Sequence, residues 1–313
     1  MQRLIVFFCV LTLSVFSLNA EVSLRNLIKY DKSECLERLE TATNEELWDA
    51  FLEGQAELFF EPEFQWIANQ DWWKNVISIL EIGSGNGAYL SKLADQFQEK
   101  TFFGIEKLSL SVKQANERYA REKVVFQEGD AEVFNEQLLN SAEVVLFRLT
   151  LQHLKKPLLA LQNTWHYLQP NGYVLVIDSC DSAKKTSHPI TAIDKALELV
   201  AESQSNNGIG NRKITLQILQ MLENQQSQLS ELYEVVSSNV NPTGKLLHEN
   251  IRLEGEMVRK RYFNHNLLFL TLLHRTYQVQ IDINKAYDQL KEYLEDEEAW
   301  TVLGMHYLVL RKK

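Results

Sequence analysis

Four short segments hold the residue types from which a nucleotide-like binding site is built. The first is Ile79-Leu80-Glu81-Ile82-Gly83-Ser84-Gly85-Asn86-Gly87-Ala88-Tyr89-Leu90, which reads as an apolar strand, a glycine loop and the start of a helix. Glycines in such a loop permit positive φ and remove Cβ atoms from the path of a ligand, so the backbone can lie directly against it. Glu81 stands two positions before Gly83 in a strand that reads as buried. An unpaired carboxylate there is costly, so its presence points to a cationic group on the ligand. The second segment ends in Glu106, 19 residues after Gly87, where a carboxylate can accept both hydroxyls of a ribose. The third, Glu128-Gly129-Asp130-Ala131, offers a side chain or backbone able to hydrogen-bond an adenine edge. The fourth is Phe147-Arg148-Leu149-Thr150-Leu151-Gln152-His153-Leu154. His153 is its nearest candidate for a general base. Taken singly, Arg148 and His153 read as structural and Asp130 as a turn or N-cap residue; their order along the chain gives the set its meaning.

That order depends on the elements between them. From 76 to 178 the pattern alternates strand and helix. Strands are expected over Val76–Ile82, Thr101–Ile105, Val124–Gln127, Glu143–Leu149 and Tyr173–Asp178. Helices are expected over Ala88–Gln98, Leu108–Glu122 and Pro157–Leu168, with a short one near 131–139 and a turn at Gln169-Pro170-Asn171-Gly172. Such alternation means βαβ units and a parallel sheet covered by helices on both faces. Right-handed crossovers then carry every strand's C-terminal end to one edge, where ligands bind. Before this region, residues 21–75 read as helical and aromatic-rich, with Pro62 breaking or restarting a helix. After it, 180–228 reads as polar helix with a flexible break at Ser203–Gly208. A strand at Leu232–Val236 closed by Asn241-Pro242-Thr243-Gly244, helices near 249–277 and 284–295, and a last strand at Met305–Leu310 complete the chain.

Composition narrows the field. Hydrophobic residues make up 45% and the formal charge is −10, which disfavours a nonspecific nucleic-acid binder; Arg259-Lys260-Arg261 reads as a solvated helix face. Cys9, Cys35 and Cys180 have neither CxxC nor metal spacing, and a Cys35–Cys180 pair cannot be inferred from sequence. Met1-Gln2-Arg3 followed by the apolar run Leu4–Leu18 and by Leu18-Asn19-Ala20 matches a cleavable secretory leader with cleavage after Ala20. The run is short for a spanning helix, and no later segment is apolar enough to span. The expected location is therefore exported; an uncleaved anchor or a mis-assigned start are the alternatives.

These motifs resemble the class I S-adenosylmethionine-dependent methyltransferases. Ile79–Gly87 resembles the family's first motif, Gly104-Ile105-Glu106 its acidic second, and Gly129-Asp130-Ala131 its third. The runs Arg148–Leu154 and Leu168–Asp178 resemble its fourth and fifth strand regions. The resemblance covers about 76–180 and, by pattern, the last two strands. It implies an α/β fold with a seven-stranded, mostly parallel sheet, an antiparallel last strand and helical cap insertions. The chain then divides into a leader at 1–20, a helical N-terminal cap at 21–75, and a methyltransferase domain at 76–313 with insertions at about 181–228 and 245–300. S-adenosylmethionine is the implied cofactor. Gly83, Gly85 and Gly87, with Ser84 among them, would line its methionine and ribose part. Glu81 would lie near its amino group, Glu106 (with Lys107 beside it) at the ribose hydroxyls, Asp130 and Ala131 at adenine, and Arg148 near the methionine moiety through its backbone. Asn171 stands where many members have a second glycine, which a left-handed turn tolerates.

The acceptor is less constrained. There is no Asn-Pro-Pro-Tyr-like motif and no Pro-Cys pair after the fourth strand, so DNA amino or cytosine C5 methylation is disfavoured. A small molecule is the first expectation and a protein side chain the second. Two other functions stay open: a catalytically degenerate exported protein that keeps the fold for binding, and an NAD-dependent oxidoreductase, because Gly83–Ala88 also satisfies G-x-G-x-x-A.

Overall fold

A computed structural model describes residues 24–207, 210–225, 227–241, 252–276 and 280–313. The leader, and Pro242-Thr243-Gly244 of the turn expected after the sixth sheet strand, lie outside these. In chain order the elements are α1 (Lys32–Thr41), α2 (Asn44–Ala68), α3 (Asp71–Lys74), β1 (Ser78–Ile82), α4 (Ala88–Gln96), β2 (Thr101–Glu106), α5 (Ser109–Tyr119), β3 (Val124–Glu128), β4 (Ala142–Arg148), α6 (Pro157–Tyr167), β5 (Leu168–Ser179), β6 (Lys185–Thr186), α7 (Thr191–Asn207), α8 (Ile214–Glu223), α9 (Leu229–Leu232), β7 (Tyr233–Val240), β8 (Leu253–Glu254), α10 (Glu256–Thr276), α11 (Ile283–Glu295), β9 (Trp300–Val302) and β10 (Met305–Lys312).

The chain divides into two compact units. The larger holds residues 59–187, 197–253 and 300–313 and contains a seven-stranded sheet of order β3-β2-β1-β4-β5-β10-β7. β1 pairs in parallel with β2 and β4, β2 with β3, and β4 with β5, while β10 runs antiparallel to β5 and β7. This is the expected seven-stranded α/β architecture. Because side chains alternate across a strand, Leu308 and Leu310 of β10 join one core with Val174 and Val176 of β5, Leu161 of α6 and Ile218 of α8. Tyr307 faces the opposite side and meets Trp66 of α2 at 4.8 Å between ring centroids. Lys100 anchors the entry to β2. It is 2% exposed, and its ammonium donates to the backbone carbonyls of Trp73 (3.1 Å) and Val76 (2.5 Å) while lying over the Trp73 ring.

The smaller unit, residues up to 58 with 188–196 and 254–299, is helical. α10 packs along α11; Asn264 Oδ1 accepts the Leu27 N–H at 2.8 Å; the Arg275 guanidinium donates to the carbonyls of Leu39, Glu40 and Ala42 where α1 ends. His265 stacks on Phe51 at 4.8 Å.

Several local expectations change. α2 runs unbroken through Pro62; apolar burial along its flanks, including Phe59, Trp66 and Ile67, outweighs the one backbone bond that a proline deletes. The Gln169–Gly172 turn is absorbed into β5, with Asn171 at φ 62°. The helix expected near 131–139 is a single 3-10 turn at Glu136–Leu138. The break expected at 203–208 is helical through Asn207. Residues 252–255, expected to be helical, precede α10 and include β8, and the short strands β6 and β9 pair in register Lys185↔Val302. Cys35 and Cys180 are free thiols.

Replacing Lys100 by Met keeps the apolar stem but removes the donor to the buried Val76 carbonyl, while the Trp73 carbonyl keeps the Val76 N–H at 3.2 Å. It is expected to cost about 1–3 kcal/mol, read as a lower urea midpoint at unchanged m-value.

Candidate functional site

The glycine loop is pinned to β2 by its backbone. The N–H groups of Gly83 and Ser84 both donate to the Ile105 carbonyl, at 2.7 and 3.1 Å. Gly83 and Gly87 adopt φ of 79° and 80°, in the left-handed region that favours glycine. A Cβ on Gly83 would strike the Thr150 side chain, and one on Gly87 would lie 2.7 Å from the Phe126 ring. The loop can therefore close only without side chains, and Gly87 then starts α4.

Parallel pairing brings the segments after β1, β2, β3 and β4 to one sheet edge. Glu106, paired with Glu128 across β2 and β3, reaches back to the loop: its Oε2 accepts the Gly85 N–H at 3.0 Å and its Oε1 the Leu108 N–H at 2.9 Å. Lys107 Nζ lies 2.7 Å from Asp130 Oδ2, and Asp130 Oδ1 accepts the Glu132 N–H at 2.9 Å. The hydrogen bond from Lys107 holds the Asp130 carboxyl below its ordinary value. The Ala131 carbonyl accepts from Asn163 at 3.2 Å. Beside these residues opens a cavity of about 230 Å³ lined by Ile82, Ile105, Asp130, Ala131, Phe134 and Tyr167. Its apolar walls and polar rim suit a flat heterocycle.

The charged centre lies deeper. Arg148, at the end of β4, is buried, and its Nε donates to Glu63 Oε2 of α2 at 2.6 Å, with the partners' side chains 5% and 1% exposed. Its guanidinium stands 4.0 Å from the Tyr89 ring centroid. Glu81 shares this environment, and its Oε2 has no hydrogen-bond partner among the described residues. Burial pushes the Glu81 carboxyl up to about 8, Arg148 pulls it down, and Glu63 and Glu106 push it further up. Burial likewise raises Glu63, with Arg148 opposing. Burial acts to lower Arg148, but Glu63, Tyr89 and Glu81 hold it charged. Two carboxylates thus face one guanidinium. Asp178, at the end of β5, accepts the N–H groups of Ser179 (2.9 Å) and Gln152 (3.0 Å), and burial raises it to about 7.

The structure therefore brings Glu81, Gly83, Ser84, Gly85, Gly87, Glu106 and Arg148 into one bonded neighbourhood, with Lys107, Asp130 and Ala131 at its flank. His153 stands apart. It closes a 3-10 turn at Leu151–His153 rather than starting a helix, and α6 begins only at Pro157. Its residue surface is exposed; crowding by protein atoms and then the Arg212 guanidinium lower its imidazole to about 4. The structure adds Glu63, Tyr89 and Asp178 to the candidate site. Glu63 sits 85 positions from Arg148 in a helix whose sequence has no glycine loop or charge pair to mark it.

Residues 74–296 match the family described as methyltransferase domain. A search of curated proteins gives no significant match. Among solved structures, the plantazolicin methyltransferase BpumL in complex with SAH is 14% identical and aligns over 96% of this chain and 99% of its own, with a TM-score of 0.46. The SpnF cyclase is also 14% identical, over 80% of each chain, with a TM-score of 0.46. The MccD protein is 15% identical, over 76% of this chain and 90% of its own, with a TM-score of 0.42. Similarity at this level carries no information on substrate. With the family match spanning most of its length, the chain belongs to the methyltransferase-domain family, the class I S-adenosylmethionine-dependent methyltransferases.

Proposed function

We propose that this protein transfers a methyl group from S-adenosylmethionine to a small-molecule acceptor. The observation that carries the reading is Glu81, a buried carboxylate at the head of the glycine loop with one oxygen unsatisfied among the described residues. A cationic amine is the group that such an oxygen recruits. The rest of the site fits the remainder of that cofactor. Gly83, Ser84, Gly85 and Gly87 supply close-approach backbone for its methionine and ribose part. Glu106, oriented by the Gly85 and Leu108 N–H groups, keeps lone pairs for ribose hydroxyls. Asp130, steadied by Lys107, and Ala131 border a cavity suited to adenine. Arg148 bonds Glu63 through Nε and also acts on Glu81, whose Oε2 has no partner among the described residues.

The cofactor supplies a methyl group activated on a sulfonium. The chain's own task is to hold the acceptor in line and keep water out. His153, the base suggested by chain position, lies exposed at the end of the 3-10 turn after β4.

Glu106→Ala is expected to weaken S-adenosylhomocysteine binding by about tenfold or more, since charge-assisted hydrogen bonds of this kind contribute about 1.5–3 kcal/mol. Calorimetry on the full chain reads the change; saturable NAD binding with no response to S-adenosylhomocysteine would overturn the reading. The pH dependence has a fixed sign. With its carboxyl raised to about 8, Glu81 holds a proton at neutral pH that an incoming ammonium must expel. Affinity for S-adenosylhomocysteine therefore rises between pH 6 and 8, by at most about tenfold per unit, and levels off above. Calorimetry in buffers of different ionisation enthalpy should find about one proton released at pH 7, and Glu81→Gln should abolish both effects. The leader read at Met1–Ala20 adds that the mature protein is exported; N-terminal sequencing of protein from its native source is expected to start at Glu21.

A further inference from the structure

A second, much smaller cavity of about 20 Å³ lies at the same strand-end edge, on the β10 side. Its position follows from the register: Met305 pairs with Ser179 at the end of β5, and Val240, just before Asn241, pairs with His306. Phe59, Glu63, Asn241, Leu303, Met305 and Tyr307 line it, among other apolar residues. The volume admits one water-sized group, the size of an ammonium head.

Its polar atoms are unequal. Asn241 is satisfied: its Oδ1 accepts the Met305 N–H at 2.7 Å and its Nδ2 donates to the Ala183 carbonyl at 3.0 Å. Glu63 is not. It is fully buried, its Oε2 is held by Arg148, and its Oε1 has no hydrogen-bond partner among the described residues. The Tyr89 hydroxyl lies close enough to lower the Glu63 carboxyl as a donor, though neither it nor Oε1 completes a hydrogen bond among the described residues. An accepting carboxylate oxygen set among apolar walls, the Phe59 ring and the ring and hydroxyl of Tyr307 matches a protonated amine, which donates hydrogen bonds and is attracted to aromatic faces.

Resting on the methyltransferase reading, we propose that this cavity seats the head group of the methyl acceptor, a small primary or secondary amine, and that Glu63 Oε1 takes its proton. One N–H proton passes to Oε1. The freed lone pair then forms the new N–C bond to the donor methyl, while the C–S bond breaks and leaves its electron pair on sulfur. Arg148 fixes the carboxylate through Oε2, so Oε1 faces the acceptor. Burial raises the Glu63 carboxyl, with Arg148 opposing, which moves the base toward working pH.

Ligand-observed saturation-transfer NMR on the full chain loaded with S-adenosylhomocysteine tests this, with methylammonium as probe and methanol as its neutral counterpart. The expected result is transfer to methylammonium and not to methanol, reduced at least tenfold by Glu63→Gln and by Leu303→Trp, which fills the cavity from its half-buried rim. Equal transfer to methanol would mean a water site and overturn the proposal, as would methylammonium signals unchanged in Leu303→Trp. Should Glu63→Gln lose its fold through the unpaired Arg148, the Leu303→Trp result decides alone. Failure of the wild-type chain to bind S-adenosylhomocysteine would instead strike the methyltransferase reading itself.

Discussion

A guanidinium cannot stay in a protein interior unpaired, because the desolvation cost is several kcal/mol even after relaxation. Arg148 is such a group, and the arrangement around it follows from that demand. Glu63 is drawn from α2 to meet it at 2.6 Å, the Tyr89 ring covers its face, and Glu81 adds a second carboxylate. Burial pushes both carboxyls up and Arg148 pulls both down, with Glu63 and Glu106 adding to the rise at Glu81. On the reading proposed above, a cationic ligand would displace the proton that burial holds on Glu81. Function here grows from an imbalance that a purely structural ion pair would have avoided.

Around this centre the backbone supplies what side chains cannot. The loop between β1 and α4 closes against Thr150 and Phe126 so tightly that Cβ atoms at Gly83 and Gly87 have no room. The Ile105 carbonyl receives two loop N–H groups, and the Glu106 carboxylate receives a third from Gly85. Loop and Glu106 carboxylate thus hold each other in place.

Where sequence signals and structure part, packing is the reason. Pro62 is a helix breaker by type, yet α2 passes through it because large side chains on either side are buried. Asn171 carries a turn signal, and its left-handed φ of 62° honours it locally, but strand pairing on both sides of that residue carries β5 through. His153 follows a strand end like the other candidates, but the 3-10 turn holding it exposes the residue and sets it beside Arg212.

Signals within the chain were enough for the alternating core, the glycine loop, and the acidic residues Glu81, Glu106 and Asp130. Those signals are local: glycines where φ must be positive, apolar runs with strand length, carboxylates just past them. Only the tertiary structure decided which charges meet. The Glu63–Arg148 pair spans 85 residues, the bond from the Gln152 N–H to Asp178 joins the 3-10 turn after β4 to the end of β5, and the small cavity lined by Tyr307 needs β7, β10 and α2 together. Charge pairing in a buried site is set by distance in space, and separation along the chain does not encode it. That is why a buried glutamate in an aromatic helix could not be recognised until the fold placed an arginine beside it.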